Sequence, residues 1–521
     1  NLSANKILKK FPLSQDLYVS GKNEVPVNNI GMLIDGVQIR TPISEDYIYY
    51  GPVDSVDVYN GGEDYDVVNP PRLVIENSIG AGVTALIEPV ISGTVKEVFV
   101  DPHDFDIDEV KAISLTGGNG SGCLLEPVIG QRYREMLFDS RDIFFSGGLS
   151  IEDETITFKK KHFLDNGDLI FYNSNGNPSI GIGGFGDNTN TATGRLATGA
   201  GYNIRVVNSS TIQLHQTYDD AIAGINTIGI STATNAAGIH KFRTVSKKTL
   251  QSVKVINSGS GYQYRKLHIK PTDVSIGYAK INFKDHGFSD GDLVEYSTSG
   301  TIIGGLSTSN SYHILKIDDN SFRLADAGSG TPSRNAYNRR DYVGLETQGE
   351  GFQTFKYPDI KVTAEVSFGS TVTGTFNFTP VVTGSIIDTY LYEKGTKYGS
   401  DILNLQKNPK IVVENGKDAI VGGAIVGGKV VDVQVLNRGQ QYYSLPEVSI
   451  EAVGMTTTGI SGAGVFGTGA ILKPTISEGR LTGVEVINPG IGYTASLVTF
   501  SVKARGKNAK FEPRVRKLTV D

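Results

Sequence analysis

The sequence predicts an all-β protein: repeated antiparallel β modules (small sandwiches or hairpin repeats) carrying two inserted, mutually homologous β modules. Three observations predict it. Gly supplies 63 of 521 residues, with 24 Tyr, 22 Phe, 3 Met and no Trp, a turn-dense, strand-forming composition. A short turn motif recurs five times, each time behind an alternating or apolar run of the kind that forms strands. Finally, two long segments resemble each other and interrupt the spacing of that motif.

The turn motif is G-x-x-Y: Gly62/Tyr65, Gly259/Tyr262, Gly395/Tyr398, Gly439/Tyr442 and Gly490/Tyr493. Four copies carry Asn two residues before the Gly, as in NPGIGYTA at Asn488. VDSVDVY, LQSVKVI, IIDTYLY, VVDVQVL and LTGVEVI lead into the five turns. A glycine-rich loop after a strand raises the question of a phosphate cradle. Such a cradle opens a helix, whose first amides meet the anion, whereas here another strand signal follows. A structural turn fits better. Gly reaches backbone angles costly for other residues, Asn bonds its own backbone, and the Tyr ring can cover the glycine while its hydroxyl finds a partner.

A second block follows each turn, as PPRLVIEN, NPKIVVEN and LPEVSIEA, with RKLHIKP and SLVTFSV as weaker copies. A third block is G-x-G-A-like and runs toward E/K-P: GAGVTALIEPVISG, GNGSGCLLEPVIG, GTGAILKPTISEG and GKNAKFEPRV. Within it, Ser92-Gly93 and Glu478-Gly479 read as hairpin turns. Successive motif glycines lie 44 and 51 residues apart from Gly395 to Gly490. The wider gaps upstream hold the inserts. ITFKKKHFLDNGDLIFY (Ile156 to Tyr172) matches INFKDHGFSDGDLVEY (Ile281 to Tyr296), and YNIRVVNSSTIQL matches YHILKIDDNSFRL. The expected organisation is a docking arm over 1–50 and scaffold over 51–150, 246–280 and 358–521. The inserts occupy 151–245 and 281–357.

Chemistry-bearing motifs are sparse. GIGGFG (Gly181 to Gly186) fits G-x-G-x-x-G, but DNTNTATG follows in place of a helix. The acidic stretch DPHDFDIDE (Asp101 to Glu109) lacks the glycine and terminal Glu of an EF-hand. DNGD at Asp165 and DGD at Asp290 suit Asx-type turns. His162 and His286 occupy matching places in the two inserts, which favours a structural hydrogen bond over catalysis. No H-E-x-x-H, G-x-S-x-G or P-loop pattern occurs. No catalytic, cofactor-binding or metal-binding residue is assigned, no cofactor is expected, and the chain is expected to be non-enzymatic. A carboxylate pair for glycoside hydrolysis, drawn from distant strands, stays open.

Formal net charge is −6, which offers no general attraction to nucleic acid. The single cysteine, Cys123, excludes an intrachain disulfide and a multi-cysteine zinc site. The longest apolar run, AIVGGAIVGG from Ala419, is too short to span a membrane, so membrane insertion is not expected. NLSANKILKKFPL has no signal-peptide core, and the missing initiator Met leaves processing or a longer parent open.

Several long runs resemble the large virion structural proteins of T4-like marine cyanophages and related myoviruses. They include VNNIGMLIDGVQI, YYGPVDSVDVYNGGEDYDVVNPPRLVI, GAGVTALIEPVISGTVKEVFVDPHDFD and GSIIDTYLYEKGTKYGSDILN. The resemblance covers nearly the whole chain. It implies a virion protein of the tail, at the baseplate or its fibres, assembled in the host cytoplasm with other tail proteins. Open strand edges at the ends of a repeat array add the expectation of a symmetric homo-oligomer. A receptor-binding adhesin for host surface polysaccharide and a capsid decoration protein are the alternatives. The expected contact loops are Asn173 to Tyr202, His215 to Gly238, Ser297 to Ser311 and Ala325 to Gly351.

Overall fold

The computed structural model describes residues 29–33, 38–40, 50–76, 82–100, 107–140, 149–150, 153–183, 194–231, 238–329, 342–368, 372–396, 398, 409–452 and 467–517. The protein is all-β, built from antiparallel sheets, with one α-helix among the described residues, Tyr218–Ala223. Of the expected docking arm, the described part is a small antiparallel pair, Asn29–Met32 with Gln38–Arg40; the rest lies outside the described residues.

Five long antiparallel ribbons form the scaffold, each named here by its motif glycine. Four are two-stranded sheets, and the Gly395 ribbon lies within a six-stranded sheet with Tyr65–Asp66, Glu109–Thr116, Tyr262–Tyr264 and Lys361–Phe368. The Gly490 ribbon pairs Arg480–Ile491 with Thr468–Ser477, and the Gly439 ribbon pairs Lys429–Gln440 with Lys417–Val426. In the Gly259 ribbon, Lys247–Ser260 pairs with Ser121–Arg132; in the Gly395 ribbon, Val372–Glu393 pairs with Leu86–Phe99. The Gly62 ribbon pairs Tyr50–Glu63 with Lys507–Lys517 and so joins two distant parts of the chain. In each ribbon the strand leading to the motif therefore pairs with a G-x-G-A-like block. Two short second-block pairs flank them, Arg72–Ile75 with Ile411–Glu414 and Glu447–Ala452 with Val498–Lys503.

All five ribbons share two β-bulges at the same places, and the Gly395 and Gly62 ribbons have one further register shift each. In the Gly490 ribbon the extra residues are Thr482 and Ile487; in the Gly439 ribbon they are Val431 and Leu436. The others have Gln251 and Ile256, Ile387 and Tyr392, and Asp54 and Tyr59. Each bulge adds one residue against the partner and re-aims the side chains beyond it. Inward residues consequently recur at a spacing of three, where the alternating pattern leads one to expect two. Val53, Leu250, Ile386, Val430 and Leu481 hold equivalent positions and are all buried. Full burial of such a side chain is worth roughly 1.5–3 kcal/mol.

Ser92 and Gly93 are not a hairpin turn. They lie inside Leu86–Phe99, paired with Ser385 and Gly384. Gly93 and Gly384 face each other so closely that a Cβ on either would strike the opposite backbone, and this close approach is what the glycine serves. Glu478-Gly479 does turn a hairpin, with φ of 51° and 71°.

The two inserts share one topology. In the first, the sheet order is Leu149–Ser150, Thr155–Thr157, Thr211–His215, Gly201–Asn208, Leu169–Asn173, Ile239–Thr244, Glu135–Asp139. In the second it is Val274–Ser275, Lys280–Asn282, Ser321–Asp326, Ser311–Asp318, Leu293–Thr298, Gln353–Lys356, Lys266–Ile269. Both sheets draw their last strand from before the boundaries expected at 151 and 281, because the opening strand of each module pairs with its closing one. RKLHIKP, a weak second-block copy, thus serves as a module strand.

The first module fills the tip of the Gly259 ribbon, between paired Arg132 and Lys247. The second lies between Tyr262–Tyr264 and Lys361–Phe368, and its core takes in Val90 and Tyr390 from the Gly395 ribbon. Arg265, buried at this junction, donates to the carbonyl of His286 at 3.2 Å and to the Tyr390 hydroxyl.

Candidate functional site

The five motif glycines have φ between 60° and 65°, a region L side chains enter at a cost of roughly 1–2 kcal/mol. In four copies the Asn side chain accepts the glycine N–H, at 2.8 Å for Asn60, 2.9 Å for Asn257 and Asn437, and 3.0 Å for Asn488. Glu393 stands in the fifth. Three residues later the Tyr turns back across the ribbon. Its hydroxyl accepts a backbone N–H from the partner block: Ala509 for Tyr65 (3.3 Å), Ala419 for Tyr442 (3.4 Å), Ala470 for Tyr493 (3.2 Å) and Ala85 for Tyr398 (2.6 Å). Tyr262 accepts the Cys123 N–H in the same way. Burial pushes the phenols of Tyr65, Tyr262, Tyr398 and Tyr442 upward, so they stay protonated at neutral pH.

The receiving half is the G-x-G-A-like block, whose role opposite the turn tyrosine the sequence did not reveal. In four copies the acceptor Tyr covers a glycine three residues before the donor: Gly506, Gly120, Gly416 and Gly467 would each thrust a Cβ into the ring. The pattern G-x-x-A, or G-x-x-C at Cys123, was present in the sequence. Its fifth copy, GKDAIVGG at Gly416, lacks the E/K-P ending that groups the other four. The unit is therefore a latch, with tyrosine and glycine on one strand and glycine and alanine on the other.

The two modules repeat their own internal bonds. His162 Nε2 donates to the Asn208 carbonyl at 2.7 Å while Nδ1 accepts the Leu164 N–H; His286 does the same with Asp318 at 2.8 Å and Phe288. Burial holds both imidazoles below their ordinary range, in the neutral form these bonds require. The DNGD and DGD turns are not Asx turns, whose side chain bonds forward to the N–H two residues on. The backbone N–H groups of Asp168 and Asp292 bond the Asp165 and Ser289 carbonyls, and their carboxylates accept back from the N–H groups of those same residues.

The remaining singled-out residues are dispersed. Gly181–Ile182 is a short strand of a three-stranded sheet with Gly194–Arg195 and Ile230–Ser231, and residues 184–186 lie outside the description. Residues 101–106 of the acidic stretch also lie outside it, while Ile107 is buried. The loops expected to make contacts are described except for 184–193, 232–237 and 330–341. Cys123 is half-buried, with its thiol pushed up by burial. Among the described residues no group of three or more His, Cys, Asp or Glu is placed to hold a metal ion. No helix there is long and apolar enough to cross a membrane.

Two ionic clusters sit where elements meet. Glu88 bonds Lys266 (3.1 Å) and His268 (3.2 Å), tying the Gly395 ribbon to the second module. Arg505, buried beside latch glycine Gly506, reaches Glu97 at 3.3 Å, Glu447 at 3.8 Å and Asp64 at 3.9 Å. Both clusters join strands far apart in sequence, a cross-bracing role. Comparison with protein-family models, curated proteins and solved structures returned no match to this chain.

Proposed function

We propose that the protein is a non-enzymatic structural component of a tailed-phage virion, placed in the contractile-tail baseplate or its fibres and assembling with other tail proteins. The observation that carries this reading is the latch repeated on five ribbons, together with the pairing of Tyr50–Glu63 and Lys507–Lys517 that ties residue 50 to residue 517. Such cross-bracing suits a part that transmits force, because many backbone bonds must shear together. It needs no disulfide, which agrees with assembly in a reducing cytoplasm. The sequence resemblance to virion structural proteins supports the same reading, and the duplicated modules offer surfaces to neighbouring subunits.

Immunogold electron microscopy of intact particles, with antibody raised against residues 153–183, tests it. Gold at the baseplate or fibres is expected. Gold on the head would overturn the tail placement in favour of capsid decoration, and unlabelled particles would overturn the virion assignment. If purified protein blocks adsorption, and loses that effect when 174–201 is deleted, the adhesin reading replaces the structural one.

A further inference from the structure

The two modules are fastened to the scaffold differently at equivalent places. Arg134 is the counterpart of Arg265, because Glu135 and Lys266, the residues after them, face Arg243 and Lys356 at the same register. Each arginine donates to the carbonyl of the matching histidine, His162 at 3.0 Å and His286 at 3.2 Å. In the second module the residue after the histidine is Gly287, with φ of 64°. Tyr390 of the Gly395 ribbon comes in beside it, and its hydroxyl donates to the same His286 carbonyl at 2.9 Å. A Cβ on Gly287 would run into the Arg265 guanidinium and the Tyr390 hydroxyl. The first module has Phe163 at that position, with φ of 50° and its ring centroid 5.3 Å from Cζ of Arg134. The position that must be glycine for the scaffold to approach is thus a phenylalanine. The cores differ accordingly. That of the second module takes in Val90 and Tyr390, whereas the buried cluster of the first is drawn from Met136 to Phe242, all within the module.

The first module hangs on a two-stranded neck whose ladder is broken. Arg132 faces Lys247 and Glu135 faces Arg243, and Tyr133–Arg134 and Val245–Ser246 between them lie outside the strands. Polar contacts join the module and its neck to the Gly439 ribbon. Lys160 pairs with Asp432 at 2.7 Å, their side chains 57% and 24% exposed. The Lys429 ammonium lies 3.5 Å from the Tyr133 hydroxyl and 5.6 Å from its ring centroid.

We propose that the first module is a hinged arm, turning about Tyr133–Arg134 and Val245–Ser246, and that the Lys160–Asp432 pair is the clasp that holds it on the Gly439 ribbon. Ion pairs this exposed contribute little and are screened by salt. Bodies joined by a thin connection move against each other unless a large apolar interface stops them, and a few residues at element ends suffice to absorb the rotation. The second module has such an interface. Beside the Arg265–Tyr390 junction, Tyr392 packs on His268 with ring centroids 4.4 Å apart, and Glu88 holds Lys266 and His268. One module is fixed and its sister swings. The proposal concerns this chain alone and is independent of where the protein sits in a particle.

Double electron–electron resonance on the full chain is the test, in a Cys123→Ala background that copies the alanine of the other four latches. Spin labels on Lys161→Cys and Leu436→Cys, both exposed, span the clasp. Labels on Thr308→Cys and Leu436→Cys report the second module as the control. The 161–436 pair is expected to show a short and a long population, the long one growing from about 20 to 500 mM salt. Asp432→Asn, a surface change that leaves the fold intact, should raise the long-to-short ratio at low salt about two- to five-fold, the worth of an exposed ion pair. The 308–436 pair should give one narrow distribution throughout. A single narrow 161–436 distribution under every condition overturns the hinge, and a ratio unmoved by Asp432→Asn overturns the clasp. Equal broadening of both pairs would also overturn the proposal, by placing the motion in the Gly439 ribbon.

Discussion

The hydroxyl of Tyr398 accepts the backbone N–H of Ala85, 313 positions earlier in the chain, at 2.6 Å. One phenol thus closes a ribbon whose two strands are separated by both inserted modules.

Replacing Tyr398 by Phe keeps the ring on the ribbon and leaves the Ala85 N–H without its acceptor. An unsatisfied buried donor costs roughly 1–3 kcal/mol. Denaturant unfolding should show that loss for Tyr398→Phe. An unchanged midpoint would mean that the bond is replaced by water and the latch is held by the ring alone.

Gly490→Ala tests the other half of the latch. At φ of 61° the substitution is strained, and its Cβ would stand 2.5 Å from the carbonyl oxygen of Thr468. The strain of roughly 1–2 kcal/mol is therefore a lower bound. Gly427 has a similar φ of 57° with open space around it, so Gly427→Ala should cost the strain alone. Equal thermal shifts for the two variants would remove the close approach from the account.

Ile487→Ala should destabilise by roughly 2–5 kcal/mol, the range for a buried aliphatic cut to Ala. Leu436→Ala, at the equivalent exposed position, should stay within about 0.5 kcal/mol in the monomer. Calorimetry of the two single variants at low concentration separates them; similar losses would contradict the division into covered and exposed bulge residues.

His162, His215 and His286 are held below the ordinary imidazole range, chiefly by burial. The folded state therefore binds fewer protons than the unfolded chain. Stability is complete above about pH 6.5 and falls as pH drops from there toward the depressed folded values. Asp66, Glu97 and Asp388 are raised by burial and act with the opposite sign, losing their contribution as pH rises through their folded values. Comparing thermal midpoints at several pH values with those of His162→Gln/His286→Gln isolates the imidazole part. The variant should show a shallower decline between neutral pH and pH 5, and a parallel profile would sink this assignment.

Deleting 507–517 removes the partner strand of Tyr50–Glu63, the Ala509 N–H bound by Tyr65, and Gly506's neighbour in the latch. Hydrogen exchange should then lose protection over 50–66 while 468–491 keeps it. Retained protection at 50–66 would show that this ribbon strand is held by the rest of the scaffold.

The β class, the position of the five turns and the kinship of the two modules are legible in the amino-acid order alone. Each rests on local chemistry: Gly62 and its counterparts need φ near 60°, Asn60 and its counterparts bond a neighbour two residues on, and His162 and His286 sit in matching strings. The scaffold segmentation was less legible, because Glu135–Asp139 and Lys266–Ile269 become module strands only by pairing with Ile239–Thr244 and Gln353–Lys356. The latch of Tyr398 onto Ala85, the crossing of Ser92-Gly93 with Gly384 inside a ribbon, and the pairing of Tyr50–Glu63 with Lys507–Lys517 emerge in the folded chain alone. It also separated covered Ile487 from exposed Leu436. Backbone N–H and C=O groups are alike at every residue, so strand partners far apart in sequence leave little mark on it. Which of several similar apolar bulge residues gains a neighbour depends on where the other bodies come to rest.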